Sequence, residues 1–118
     1  TMRTRLATMI GYGTALAKRV HTVTIAPQST GAWTLVDGSD QTAVAVAQRE
    51  PHNAWRRSGA AGCIVHDTAA VQEMPDVGKW KADGTVAKYT VDGIHAQQFA
   101  LLAIVTAQAI SPGYFSPA

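Results

Sequence analysis

At 118 residues, with 47% hydrophobic and 15% charged side chains, the chain is long enough for one modest packed domain and too apolar to stay disordered. Its net charge of +2 is spread over scattered basic residues, densest at Arg3/Arg5, Lys18/Arg19 and Arg56/Arg57, which speaks against a nucleic-acid footprint. A single cysteine, Cys63, excludes an internal disulfide, and the longest apolar run, Phe99 to Val105, is far short of the ~20 residues that span a bilayer. No charged-then-apolar leader opens the chain, so it reads as soluble, with no membrane span and an unassigned compartment. Thr1 at the start fits removal of a Met, a cleavage product or a piece of a longer chain equally well.

Apolar residues at Met2, Leu6, Met9, Ile10 and Leu16 predict a half-buried helix over residues 1–18, weakened by Gly11 and Gly13. The β-branched run Val20–Ala26 predicts a buried parallel strand that Pro27 ends. Gln28–Asp40 reads as a loop leading to a helix capped by Ser39 or Asp40. That helix is expected over Gln41–Ala60, kinked or restarted at Pro51. Cys63–Val65 is a second short strand and Thr68–Met74 a short helix. Pro75–Tyr89 lacks periodicity and reads as an irregular loop. Ala96–Ile110 predicts a last helix, apolar on nearly every side and therefore covered on most faces, and 111–118 a C-terminal tail.

This order predicts an α/β fold, a single or partial domain over 1–118 with two parallel strands and right-handed crossovers. Two such strands are too few to be stable alone, because a parallel sheet needs neighbours and covered faces. The chain is therefore expected to be completed by another segment or by a tight homo-oligomer.

The stretch with most chemistry is DGTVAKYTVDGIHAQQFALLAIV, where Asp92 and His95 lie three apart just before the last helix. A serine hydrolase needs a His as general base and a carboxylate that fixes its tautomer, and a turn at this spacing can bring the two together. Gly93 permits the tight backbone, and Ile94 is expected to anchor the loop in the core. The same residues also suit a plain helix entry, with Asp92 as cap and His95 as a polar neighbour.

Tyr89, Thr90, Asp92, Gly93 and His95 resemble the last block of the SGNH (GDSL-type) serine ester hydrolases, a Tyr-Thr-x-Asp-Gly-x-His run before a terminal helix. Ala96 stands where that family has Pro, and Ala100 where it has Gly. The stretches RLATMIGYGTALAKRVHTVTIAPQ and QREPHNAWRRSGAAGCIVHDT are similar to the helix, strand and Arg/Asn-bearing helix that lead to that block, so the resemblance spans residues 1 to about 110. It implies part of a three-layer α/β/α, flavodoxin-like fold with short parallel strands. It also implies ester hydrolysis through an acyl-enzyme, with Asp92 and His95 as two of three triad members and no metal or organic cofactor. The family's Gly-Asp-Ser block and its Gly and Asn oxyanion donors have no counterpart; Gly38-Ser39-Asp40 has the wrong order and place. The nucleophile is thus expected on an N-terminal half of the fold, in the same gene or a separate chain, and the substrate is an ester, such as an acylated carbohydrate or lipid.

Other residues invite weaker readings. Ser29, Ser39, Ser58, Ser111 and Ser116 read as loop or capping residues, Asn53 as structural, and Thr1 as a minor candidate for an N-terminal nucleophile. His21, His52, His66 and His95 do not share metal-ligand spacing, with His21 at a strand start and His66 at a strand end expected on opposite sides of the layer. His66 at the carboxyl end of its strand is a candidate for the pocket, and Asp67 for a structural role. Trp33 and Trp80, in predicted loops, are candidate ligand contacts, whereas Trp55 at helical spacing suits the core. A second reading, from another class, is a non-catalytic structural or carbohydrate-binding module, as in a virion fibre or surface assembly, that keeps hydrolase-like architecture.

Overall fold

In chain order the elements are α1 (Met2–Leu16), β1 (His21–Val23), β2 (Ser29–Thr30), β3 (Thr42–Ala43), α2 (Val46–Arg57), β4 (Ile64–His66), α3 (Thr68–Gln72) and α4 (Gln98–Thr106). They come from a computed structural model that describes residues 1–17, 19–30, 37–75, 77–82, 89–110 and 113. The chain is mixed α/β, and among the described residues no helix is long and apolar enough to cross a membrane.

Thr1 caps α1, its hydroxyl accepting from the Thr4 amide at 3.3 Å. This is the ordinary work of an N-terminal threonine oxygen at a helix start. The helix buries only Ile10; Met9, Tyr12 and Leu16 are mostly exposed. Val20 packs against Gly13, where a Cβ would stand 2.9 Å from a Val20 methyl.

β1 and β4 pair in parallel, in the register His21↔Ile64, Thr22↔Val65 and Val23↔His66, with α2 in the connection. The expected strand over Val20–Ala26 is cut to three residues because side chains replace a neighbouring strand beyond it. Asn53, fully buried on α2, clamps the Ile25 peptide: its Oδ1 accepts from the Ile25 amide at 2.8 Å and its Nδ2 donates to the Ile25 carbonyl at 2.9 Å. Arg49 Nη1 also donates to that carbonyl, at 3.1 Å, while its Nη2 reaches Glu73 and Glu50.

Thr24 joins β1 to α3. Its hydroxyl donates to Asp67 Oδ1 and accepts from the Ala69 amide, each at 2.9 Å. Asp67 also caps α3 at Ala70 and accepts from Arg57 Nε at 2.7 Å and Nη2 at 3.0 Å. Burial pushes the Asp67 carboxyl up, but the hydrogen bonds from Arg57 and Thr24 outweigh it and hold the group below its ordinary value.

Four expectations are corrected here. α2 starts at Val46, entered through Ala45 in the left-handed region (φ 57°), and is not capped by Ser39 or Asp40. Pro51 lies inside α2, so it does not begin a second helix. The residues ahead of α2 form an antiparallel pair, Ser29↔Ala43 and Thr30↔Thr42, where a loop and helix were expected. α4 is shorter than expected and buries only Ala100; Phe99, Leu101, Leu102 and Val105 are each more than half exposed. The described residues of this chain do not provide the cover such a helix requires. The expected tail, 111–118, lies outside the described residues apart from 113.

The buried set is small and largely polar, so the clamps carry weight that an apolar core would otherwise bear. Replacing Asn53 by Ala leaves the Ile25 carbonyl its Arg49 donor but orphans the Ile25 amide. The variant is expected to lose about 2 kcal/mol of unfolding free energy in a urea titration. An unchanged midpoint and slope would remove Asn53 from the set of structural clamps.

Candidate active site

The Asp92–His95 loop is closed at its base by the Gln97 amide donating to the Tyr89 carbonyl at 2.7 Å and by a bridge between Thr90 and Ala96. Asp92 organises the turn. Its Oδ1 accepts from the Ile94 amide at 2.9 Å and the His95 amide at 2.8 Å, and the Thr90 hydroxyl donates to it at 3.2 Å. Its Oδ2 meets His95 Nδ1 at 2.6 Å. Asp92 does not cap the last helix, as the plain helix-entry reading expected: α4 begins after Gln97 with no side-chain cap, and one carboxylate oxygen of Asp92 holds the turn backbone while the other holds the ring.

The His95 hydrogen bond, followed by the two amides, holds the Asp92 carboxyl well below the usual carboxylate range, so it is ionised at neutral pH. An ionised carboxylate can only accept, which puts the proton of a neutral imidazole on Nδ1 and the lone pair on Nε2. The His95 side chain is 78% exposed and that of Asp92 46%, so the ring stands at the surface. This is the tautomer and presentation of a general base awaiting a proton donor.

The loop is anchored through its backbone. Gly93 sits at φ +79°, and its carbonyl accepts from both the Ser29 amide and the Trp80 indole Nε1, each at 2.9 Å. A Cβ at Gly93 would lie 1.6 Å from the Ser29 carbonyl oxygen, so only glycine allows this approach. Ile94, expected to be the anchor, is 58% exposed. The apolar residue points out because the peptide beside it is already fixed to the core.

Trp80, a candidate ligand contact from its place in a predicted loop, is completely buried: its ring lies beneath the loop and its indole donates to the Gly93 carbonyl. Gln41 in turn holds Trp80, its Oε1 accepting from the Trp80 amide at 2.8 Å and its Nε2 donating to the Trp80 carbonyl at 2.7 Å. Sequence reasoning missed Gln41, since a lone Gln after a Gly-Ser-Asp turn carries no pattern that marks it as buried. Trp33 lies outside the described residues.

His21 and His66 are not on opposite sides of the layer, as expected, but in contact, His21 Nδ1 to His66 Nε2 at 2.9 Å. The parallel register offsets them by two residues, which returns both side chains to one face. Their rings are within 7° of parallel with centroids 5.2 Å apart, a separation that fits an edge-to-edge hydrogen bond better than face stacking. His66 is nearly buried and borders a groove of about 430 Å³ with His21, Val23 and Ile110. Among the described residues no group of three or more His, Cys, Asp or Glu side chains is placed to hold a metal ion.

No described hydroxyl is hydrogen-bonded to the His95 ring. Ser29 is buried and donates to Gln41, Ser58 donates to the Trp55 carbonyl, and Ser39 belongs to an exposed turn whose amide binds Asp37. Ser111 and Ser116 lie outside the described residues. No protein-family model, curated protein sequence or solved structure matches this chain.

Two outcomes follow from the loop. Gly93→Ala is expected to cost at least about 3 kcal/mol in chemical denaturation, because positive φ and overlap with Ser29 act together. The Asp92 carboxyl, followed by carbon-detected NMR, is expected to titrate below its ordinary value and to move up toward it in His95→Ala. Because the folded value is the lower one, this group's contribution to stability is complete above the unfolded value and fades as pH falls through the folded midpoint. A midpoint at the ordinary value in the unaltered protein would mean that the ring and carboxylate are not paired in solution.

Proposed function

We propose that Asp92 and His95 are the carboxylate and base of an SGNH-type serine ester hydrolase whose nucleophile lies on a segment outside these 118 residues. The observation that carries this reading is the 2.6 Å Asp92–His95 bond in a surface loop of the sequence Tyr-Thr-x-Asp-Gly-x-His, with Nε2 turned away from the carboxylate. A parallel strand pair connected through α2 is compatible with part of a three-layer α/β/α fold. The uncovered side chains of α1 and α4 supply surface for the remainder of it. The radius of gyration, 15.7 Å, exceeds the roughly 13–14 Å of a closed globule of this length, as an incompletely packed unit would.

In this scheme His95 Nε2 takes the proton of the serine hydroxyl as its oxygen attacks the ester carbonyl carbon. It returns the proton to the departing alcohol, then repeats both steps with water to release the acid. Asp92 keeps Nδ1 protonated and balances the imidazolium that forms twice per turnover. The substrate is a carboxylic ester, such as an acylated carbohydrate or lipid.

The test is fluorophosphonate labelling of the natural protein, with intact mass and N-terminal sequencing of the labelled species. A labelled serine on a longer or two-chain species is expected, and His95→Ala in that species should lower kcat/KM on a simple ester by about three orders of magnitude or more. A natural protein that takes up no label would overturn the reading and favour the non-catalytic module.

A further inference from the structure

The Asp92 and His95 side chains are exposed, yet one hydrogen bond of the pair reaches a completely buried side chain. Thr90, at 0% exposure, stands two residues before Asp92 and bridges to Ala96 where the loop closes. Its Oγ1 accepts from the Gly93 amide at 3.1 Å and donates to Asp92 Oδ1 at 3.2 Å. Together these bonds fix the direction of the hydroxyl proton. An oxygen that receives the Gly93 N–H has its own proton left to give, and among the described residues Asp92 Oδ1 is the acceptor within reach.

The other two donors to Oδ1 are of a different kind. The Ile94 and His95 amides belong to the exposed turn itself, so they hold the carboxylate to the turn and move with it. Thr90 instead joins the carboxylate to a peptide held at both ends. Gly93 has its amide on Thr90 and its carbonyl on Ser29 and Trp80, and all three partners are buried. The β-branched side chain of Thr90 has few rotamers to choose from, which keeps the hydroxyl in place. With Oδ1 committed to three donors, Oδ2 is left for the His95 ring.

On the reading of His95 as a base, we infer that Thr90 is a positioning residue for the dyad. Through Asp92 its buried hydroxyl sets which ring nitrogen of His95 carries the proton, and so keeps the Nε2 lone pair free for a proton donor. Thr90, being buried, touches no substrate itself. A residue needed only for the stability of the loop would alter folding and leave the ring tautomer alone, because Asp92 would keep Oδ2 on Nδ1 without it.

The experiment is nitrogen and carbon NMR of the neutral His95 ring in the full 118-residue chain, in Thr90→Val and in Thr90→Ser. Val keeps the branching at Cβ and removes the hydroxyl. A solvated neutral imidazole favours the proton on Nε2, so a loosened dyad drifts toward that form. The ratio of Nδ1–H to Nε2–H is expected to fall at least about fivefold in Thr90→Val, the factor that one typical hydrogen bond carries. Thr90→Ser, which restores the hydroxyl, is expected to bring the ratio back. An unchanged ratio in folded Thr90→Val, or a loss that Thr90→Ser does not restore, would overturn the role. Should Thr90→Val fail to fold, the Thr90 hydroxyl proton of the unaltered chain decides: a resolved signal protected from exchange is expected, and free exchange with water would overturn the role. These readouts need no nucleophile, so failure of fluorophosphonate labelling would remove the ester hydrolase and leave the control of the His95 tautomer by Thr90 to be decided by the ring alone.

Discussion

The carbonyl of Gly93 accepts two hydrogen bonds from different directions, one from the Ser29 backbone and one from the Trp80 indole, and the placement of the candidate dyad depends on it. The junction belongs to a closed ring. Gln41 takes the Ser29 hydroxyl and the Trp80 amide on one oxygen, Trp80 reaches Gly93, and Gly93 returns to Ser29. Every member is uncharged, so the ring keeps its bonds over a wide pH range. Hydrogen bonds connected in this way polarise one another and penalise the loss of any one partner. The exposed Asp92 and His95 side chains therefore stand on a fixed peptide, although they themselves touch water.

Two buried amides do the work that extra strands do in a larger sheet. Asn53 offers Ile25 one acceptor and one donor, as a neighbouring peptide would, and Gln41 does the same for Trp80. With two short sheets of two strands each among the described residues, much of the described backbone has no ladder partner, and these side chains supply it. The acidic anchors extend the same logic: Arg49 reaches Glu73 and Arg57 reaches Asp67, so α2 is tied at two levels to the segment after β4. A site held by supports of this kind can be exposed without being loose.

Much of this was legible in the sequence where one residue type or one period decides the structure. The parallel strand pair, the helices α1 and α4 and the Asp-Gly-x-His turn all announced themselves through apolar spacing or turn chemistry. The β2–β3 pair did not, because two-residue strands beside a Gly/Ser/Thr/Asp run have no period to read. Nor did the depth of Trp80, which sits in an aperiodic stretch and is buried by long-range contacts with Gln41 and Gly93. The His21–His66 contact was misjudged because position along a strand was considered without register; an offset of two residues restores the same face. Ile94 was misjudged for another reason: an apolar side chain signals burial only when the backbone leaves it a choice, and here Gly93 had already fixed the peptide.

The dyad and the uncovered helices are separate features, and that separation constrains how the hydrolase reading works. Asp92 and His95 are brought together by bonds within a nine-residue stretch, 89 to 97, and by the Gly93 anchor, so nothing on α1 or the outer face of α4 is needed to assemble them. In water the contact adds little to the stability of the fold, since both side chains are exposed and water competes for the same hydrogen bond. Docking of the nucleophile segment on this chain would change that in two ways. It would cover Phe99, Leu102 and their neighbours, whose burial is worth about 1.5–3 kcal/mol per side chain. It would also remove water from around His95, where the same Asp92 contact then acts through a lower dielectric. On this reading the apolar faces supply the association, and the association is what turns a solvated surface pair into a working base.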